Sequence, residues 1–349
     1  MDNERHQRVR QALFHGDELR LANHRYAQAV EAFLGELLSS DIGSGDLTYE
    51  ALGLAPEIVE GKVIANEPGV AAGLGESAWF FGRDGVKTTL LKQDGDTVEA
   101  GEPLIAIEGP REKLLALERV GLNTVQRMSG IATMTRRLVE RAARAKPSAC
   151  RLASCVVATR KTPWGLLDKR AVHLGGGGTH RLGLWDAVLV KNNHLALLAG
   201  NEAEAAALAA QRTWALRQQA AFLEIEVRTQ EAALAAARAW RALREKHGAA
   251  CPCLVMLDNM APEEIAGVLG ALRAEGLLEE VLIEASGNIR EENLETYAAT
   301  GVDAISMGAL THSARALDIC QRLPGDSGNY KSDAQYQHVG SHVGDNTRG

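Results

Sequence analysis

Six short apolar runs, each closed on its C-terminal side by polar residues, alternate with longer stretches rich in Ala, Leu, Glu and Arg, and this alternation limits the possible folds more than any other feature. The runs fall at residues 152–158, 187–190, 222–227, 254–257, 281–285 and 304–307. Stretches between them, such as 202–218 and 230–246, are long enough for right-handed helical crossovers, so the spacing predicts βα units around a parallel sheet. In a parallel α/β barrel the C-terminal strand ends meet at one mouth. One polar residue after a strand is ordinary, because strands must leave the core somewhere. Here every run delivers one. The first leads into Thr159-Arg160-Lys161-Thr162, the second into Lys191-Asn192-Asn193-His194, and the third carries Glu226. The fourth ends in Asp258-Asn259, the fifth in Ser286-Gly287-Asn288 and the last in Met307-Gly308-Ala309.

The chemistry of that mouth is uneven. Glu226 and Asp258 are acids, whereas Arg160, Lys161 and Lys191 are cations, and small residues close the last two strands. The combination suits a phosphorylated substrate: carboxylates for Mg²⁺, cations for anionic groups, and glycines where backbone N–H groups approach a phosphate. Between the first two strands lies Gly175-Gly176-Gly177-Gly178-Thr179-His180-Arg181. The glycines alone mark only a bent turn, but Arg181 adds charge near Arg160 and Lys191. The whole chain is acidic, with 38 Lys and Arg against 45 Asp and Glu and a net charge of −7. Such a balance opposes non-specific nucleic-acid binding, and a local cationic cluster within it points to a ligand carrying more than one negative charge.

Upstream of the barrel the pattern changes. Residues 5–39 read as two helices forming a docking layer, since Ala22, Tyr26, Val30, Phe33, Leu34 and Leu37 recur at helical steps. Residues 58–108 have β texture with Gly/Asp punctuation and read as a small α+β domain. A long helix is expected over 112–146. Residues 324–349 contain no Leu, Ile, Phe or Trp and are expected to be a disordered tail. The N-terminal stretch has no apolar core suited to a signal peptide or membrane span, so a cytoplasmic protein is expected. The five cysteines, Cys251-x-Cys253 among them, lack a second pair or adjacent His and read as reduced packing residues.

Several ordered motifs together resemble the quinolinate phosphoribosyltransferase family, the carboxylating nicotinate-nucleotide pyrophosphorylases. They are Asp41-Ile42-Gly43-x-Gly45-Asp46-Leu47-Thr48, then Glu118-Arg119-x-x-Leu122-Asn123-x-x-Gln126-Arg127-x-Ser129-Gly130-Ile131-Ala132-Thr133, Thr159-Arg160-Lys161-Thr162, Gly175-Gly176-Gly177, and His180-Arg181-x-Gly183-Leu184. Lys191-x-Asn193-His194, Leu257-Asp258-Asn259-Met260 and Gly308-Ala309-Leu310-Thr311-His312-Ser313 complete the set. The resemblance covers roughly residues 41–318. It implies an open, incomplete α/β barrel at 119–312 and an N-terminal α/β sandwich at 41–118 completed by about 313–323, with 1–40 as a helical extension.

The resemblance also implies an activity: quinolinate and phosphoribosyl pyrophosphate give nicotinate mononucleotide, pyrophosphate and CO₂, in NAD biosynthesis. Carried over by position, Arg119 would reach quinolinate from the neighbouring subunit of a homodimer, or of a larger assembly of dimers. Arg160, His180, Arg181 and Lys191 would line the pocket within the subunit, and Lys161, beside Thr159, would lie between quinolinate and pyrophosphate. Glu226 and Asp258 would hold ribose and Mg²⁺. Ser286, Gly287 and Asn288 with Met307, Gly308 and Ala309 would cradle the 5′-phosphate, supported by His312.

Three departures from the family pattern stand out. The segment after Thr162 is about two residues short and is expected to reshape the pocket rim. Asn288 replaces a usual Gly, and Arg228 follows Glu226 where family members often carry something less basic. Rival readings are a paralogue acting on another base, a Schiff-base aldolase using Lys161 or Lys191, and a non-catalytic sensor, which the retained Glu226 and Asp258 argue against.

Overall fold

The computed structural model describes residues 2–146, 154–248 and 251–324. The six runs form six parallel strands: Cys155–Val157, Val188–Val190, Leu223–Val227, Cys253–Asp258, Leu282–Ser286 and Ala304–Ser306. They stand side by side in chain order, except that the first strand lies beyond the last. The sheet is therefore curled but open between Cys155–Val157 and Val188–Val190. Gly178 makes a single parallel bridge to Val157 in that gap. This is the open, incomplete barrel expected. The Leu223–Val227 strand is buried along its whole length, as strands covered on both faces must be.

The crossover helices follow the site-bearing strand ends, and their caps explain where they start. Asn201 Oδ1 accepts the Glu204 N–H at 2.8 Å to open Glu202–Thr213, Thr229 Oγ1 accepts the Ala232 N–H at 3.3 Å to open Gln230–His247, and Pro262 occupies the first turn of Pro262–Ala274. The stretch 202–218 ends as an α-helix at Thr213 and finishes in a 3₁₀ turn, Trp214–Leu216.

The N-terminal half is a four-stranded antiparallel sheet ordered Ile319–Arg322, Ile58–Ala65, Pro103–Pro110, Lys87–Leu90. Its edge strand is contributed from beyond the barrel. The helix Leu74–Arg83 covers this sheet and buries Phe80 and Phe81; apolar alternation around 58–108 hid it. The 34-residue helix Arg111–Arg144 then links both halves, so residues on its faces touch sheet, barrel and solvent at once.

The first helix, Asp2–Leu13, is more than a docking layer. Val9, Ala12 and Leu13 pack with Val157, Ala187, Phe222, Leu254, Leu282 and Ala304 in a second apolar core at the N-terminal strand ends, opposite the mouth. Arg5 makes a two-pronged pair with Asp303, at 2.7 and 2.6 Å. The second helix, His24–Ile42, buries Tyr26, Val30 and Leu34. Cys150 and residues 325–349 of the expected tail lie outside the described residues. Cys253 sits in the core, and burial pushes its thiol up to about 12, which suits packing rather than metal binding.

Candidate active site

A cleft of about 1100 Å³ opens at the C-terminal strand ends. Around it stand Thr159, Arg160, Lys161, His180, Arg181, Lys191, Glu226, Asp258, Ser286, Gly287, Asn288, Gly308, Ala309 and His312. Two expected residues lie elsewhere. Met307 is fully buried, and its N–H is taken by Val157 O at 3.0 Å, so neither its side chain nor its N–H can serve a phosphate. Arg119 sits on the long helix, 57% exposed, outside the cleft of its own chain.

The cationic end is crowded. Arg181 is buried, and its Nη1 donates to Ala187 O at 3.3 Å. Burial and the Arg160 guanidinium both pull Arg181 below its usual value. A dianionic ligand between the two guanidiniums would relieve that repulsion. Behind them Lys169 is buried, with Nζ donating to Thr179 O at 2.6 Å. Burial first, then Arg181 and Arg160, push it down to about 7 against the opposing pull of Asp186.

His180 rests on two acids the sequence reading missed. Its Nε2 lies 3.1 Å from Glu224 Oε2 and 3.2 Å from Glu284 Oε2, and all three residues are buried. The Arg181 N–H donates to Nδ1 at 2.8 Å. Burial disfavours a charged ring and the two carboxylates favour one, but a protonated Nδ1 would confront the Arg181 N–H. The geometry therefore places a ring proton on Nε2, facing the two carboxylates. Burial and the facing Glu284 push Glu224 up to about 7, while against its burial the two carboxylates raise His180 to about 9, so the cluster shares a proton between ring and carboxylates. These three are also the described residues whose ligand atoms converge within 4.8 Å, and the imidazole faces the two carboxylates at ion-pair distance without an aligned hydrogen bond. The signal was present in Leu223-Glu224-Ile225-Glu226, where two acids two residues apart on one strand share a face.

The acidic end is built around Asn192, also missed. Its N–H points to Glu226 Oε1 at 3.4 Å and its Nδ2 donates to Asp258 Oδ2 at 3.3 Å. Each acid pairs with a cation, Glu226 with Lys191 at 3.5 Å and Asp258 with Arg228 at 3.1 Å. Arg228, 60% exposed, thus reaches the Asp258 carboxylate from beside the cleft. Two carboxylates at the ends of neighbouring strands fit Mg²⁺, which takes few protein ligands and completes its shell with water and substrate phosphates.

The last two strands supply a backbone cradle. Asn288 has φ +52° and Gly287 φ +91°, so the turn demands left-handed backbone that Asn tolerates. A Cβ on Gly287 would lie 2.4 Å from Asn259 Oδ1, which makes glycine obligatory there. Asn288 Nδ2 donates to Asn259 Oδ1 at 2.9 Å, locking the two turns together. Among the described residues no acceptor takes the Gly287 or Asn288 N–H, which leaves both available to an anion. On the facing side, Thr311 Oγ1 donates to Lys161 O at 2.8 Å, and the Lys161 N–H donates to Thr159 Oγ1 at 3.1 Å.

The shortened segment does not form the rim. Trp164 turns away onto Phe33, with ring centroids 5.0 Å apart, and under Arg127, whose guanidinium is 5.1 Å from the ring. Arg127 in turn holds Asp168 at 2.8 and 2.9 Å and Thr311 O at 2.8 Å.

Comparison with known proteins agrees with this layout. The family models for the quinolinate phosphoribosyl transferase N-terminal and C-terminal domains match residues 46–129 and 131–321. A probable carboxylating nicotinate-nucleotide pyrophosphorylase of Methanothermobacter thermautotrophicus is 38% identical over 296 residues, covering 83% of this chain and 97% of the relative. The Mycobacterium leprae nicotinate-nucleotide pyrophosphorylase is 37% identical over 293 residues, covering 81% of this chain and 93% of the relative. Among solved structures, the nicotinate-nucleotide pyrophosphorylase of Francisella tularensis superposes with a TM-score of 0.71 at 30% identity, covering 85% of this chain and 96% of that one.

Proposed function

The chain belongs to the quinolinate phosphoribosyltransferase family, and from that premise we propose how its cleft divides the work. The protein makes nicotinate mononucleotide, pyrophosphate and CO₂ from quinolinate and phosphoribosyl pyrophosphate, a step of de novo NAD biosynthesis. In our reading Arg160, Arg181 and Lys191 receive the two carboxylates of quinolinate, and Lys161 stands between that ring and the departing pyrophosphate. Glu226 and Asp258 hold the ribose and Mg²⁺, and Ser286, Gly287 and Asn288 with Gly308, Ala309 and His312 hold the 5′-phosphate. The observation that carries this reading is the polarity of the cleft, with crowded guanidiniums at one end and paired carboxylates at the other.

Pyrophosphate departure leaves positive charge on the ribosyl carbon, which the carboxylates of Glu226 and Asp258 stabilise. Mg²⁺, when bound there, neutralises charge on the leaving group. The pyridine nitrogen is itself the nucleophile, so the protein supplies position rather than a covalent intermediate. Once that nitrogen is cationic, the adjacent carboxylate leaves as CO₂, and its electron pair stays on the ring carbon until protonated. Both nitrogens of His180 face protein groups, so His180 serves as a positioning wall and not as the source of that proton.

A dimer completes the site in this reading. Arg119 projects from the long helix away from its own cleft, available to a neighbour. Leu47, Leu52, Ile58 and Leu197 expose apolar surface of the kind a subunit contact covers. No helix among the described residues is long and apolar enough to cross a membrane, which is consistent with a cytoplasmic enzyme. The decisive experiment incubates the protein with quinolinate, phosphoribosyl pyrophosphate and Mg²⁺. CO₂, pyrophosphate and nicotinate mononucleotide should appear in equal amounts; consumption of another base without CO₂ would refute the reading.

A further inference from the structure

We infer that the N-terminal segment, residues 2–18, is a positioning part of the dicarboxylate end of the site, acting through Thr179 on His180 and Arg181. The inference rests on the assignment of that end to quinolinate. The contacts are specific. Leu13 O, at the end of the first helix, accepts the His180 N–H at 3.1 Å and the Thr179 hydroxyl at 3.2 Å. The same hydroxyl oxygen accepts the His15 N–H at 2.9 Å. His15 Nε2 donates to Ala12 O at 2.8 Å, and its Nδ1 lies 3.5 Å from Asp186 Oδ1. Asp186 Oδ2 in turn accepts the Leu182 N–H at 2.7 Å. The segment Thr179 to Leu182 is thus held at both ends by groups that reach back to the N-terminal helix.

The backbone shows that this docking is built in. A Cβ on Gly178 would lie 2.9 Å from Leu13 O, so only glycine lets the helix end approach this closely. His180 has φ +51°, a conformation that a non-glycine residue holds only when its surroundings impose it. Leu13 O supplies part of that constraint by accepting the His180 N–H. Elsewhere the helix is anchored to the barrel floor by Arg5 on Asp303, by Arg8 Nη1 on Glu279 O at 2.8 Å, and by Val9, Ala12 and Leu13 in the floor core. The sheet is open between its first and second strands, and the Gly178 to His180 segment that meets Leu13 lies in that gap.

The test separates positioning from mere stability. Thr179→Val keeps the shape but removes the hydroxyl shared by Leu13 O and the His15 N–H. It should raise KM for quinolinate at least roughly fivefold, since two hydrogen bonds of the positioning segment are lost, while leaving KM for phosphoribosyl pyrophosphate within about twofold. Val63→Ala, in the N-terminal sheet, is the control for stability loss and should show no such split. A second readout needs no variant: in the wild-type protein, quinolinate should slow amide exchange across residues 2–16, because the coupling between segment and ligand is reciprocal. Equal changes in both KM values together with unaltered exchange would overturn the inference. If Arg181→Ala leaves quinolinate binding intact, the substrate assignment fails as well; if Arg181→Ala abolishes it and Thr179→Val does not move it, the inference alone fails.

Discussion

Arg228 pairs with Asp258, the carboxylate to which the proposed mechanism assigns ribose and Mg²⁺. Its Nε lies 3.1 Å from Asp258 Oδ2, and the arginine side chain is 60% exposed. An exposed pair of this kind contributes at most about 1 kcal/mol, or roughly a fivefold effect. Arg228→Ala should therefore lower the Mg²⁺ concentration giving half-maximal rate by up to about fivefold, in a titration at fixed phosphoribosyl pyrophosphate. A raised requirement would mean that Arg228 assists the pyrophosphate instead. A second residue-scale prediction concerns pH. Glu224 is raised from 4.5 to about 7, so the folded state binds more protons than the unfolded state between those values. Its contribution to stability is fully present below about 4.5 and is lost as pH rises through 7. Melting temperatures of wild type and Glu224→Gln, compared from pH 4.5 to 8, should show the wild type losing more stability toward the alkaline end; parallel curves would exclude a proton held by this cluster. The polar strand ends were readable one by one because their residue types stand out from apolar runs. Glu224 could have been read only through Glu226, two residues on along the same strand, and Glu284 has no such neighbour, so only the register shows that it faces the cleft floor. Asn192 and Asn259 stood out only as strand-end residues; that they act by bonding other site residues leaves no trace in sequence spacing.

At the scale of elements, the shortened segment after Thr162 is compensated by the second helix. Phe33 of His24–Ile42 meets Trp164, and Trp164 covers Arg127, which secures Asp168 and Thr311 O. Thr311 then holds the Lys161 carbonyl. The chain of contacts runs from a helix outside the barrel to a lysine inside the cleft. Trp164→Ala should cost about 2 kcal/mol, below the range for a fully buried aromatic because this ring is only partly covered, and should lower kcat by loosening Lys161. Chemical denaturation and steady-state kinetics check the two halves of that statement; a stability loss with unchanged kcat would confine Trp164 to packing. The barrel strands and crossover helices were legible because burial on both faces writes continuous apolar runs. What the segment after Thr162 packs against was not, because a loop's partner depends on tertiary placement, and neither Phe33 nor Trp164 announces the other. The helix Leu74–Arg83 was obscured by its neighbours: ten residues between short β runs leave little room for a helical period to show.

For the whole molecule, the placement of Arg119 sets the remaining question. The proposed dicarboxylate end, with Arg160, Arg181 and Lys191 lining the cleft, leaves Arg119 of the same chain outside it. In a two-fold dimer, whatever one subunit lends the other receives in return, so two composite sites form together. Arg119→Ala and Lys161→Ala then damage different subunits' contributions to one site. Each variant alone should be nearly inactive as a homodimer. Mixed after dissociation and reassociation, half of the dimers contain one copy of each, and each such dimer has one site with both defects and one with neither. Activity should recover to about a quarter of the wild-type value at equal mixing, a figure fixed by symmetry rather than by contact energies. Recovery near zero would place Arg119 in the site of its own chain through a rearrangement, or outside the reaction altogether. Recovery near a quarter would also explain why a single subunit presents its guanidiniums to an open rim: the cleft is finished by a surface that only a second copy carries.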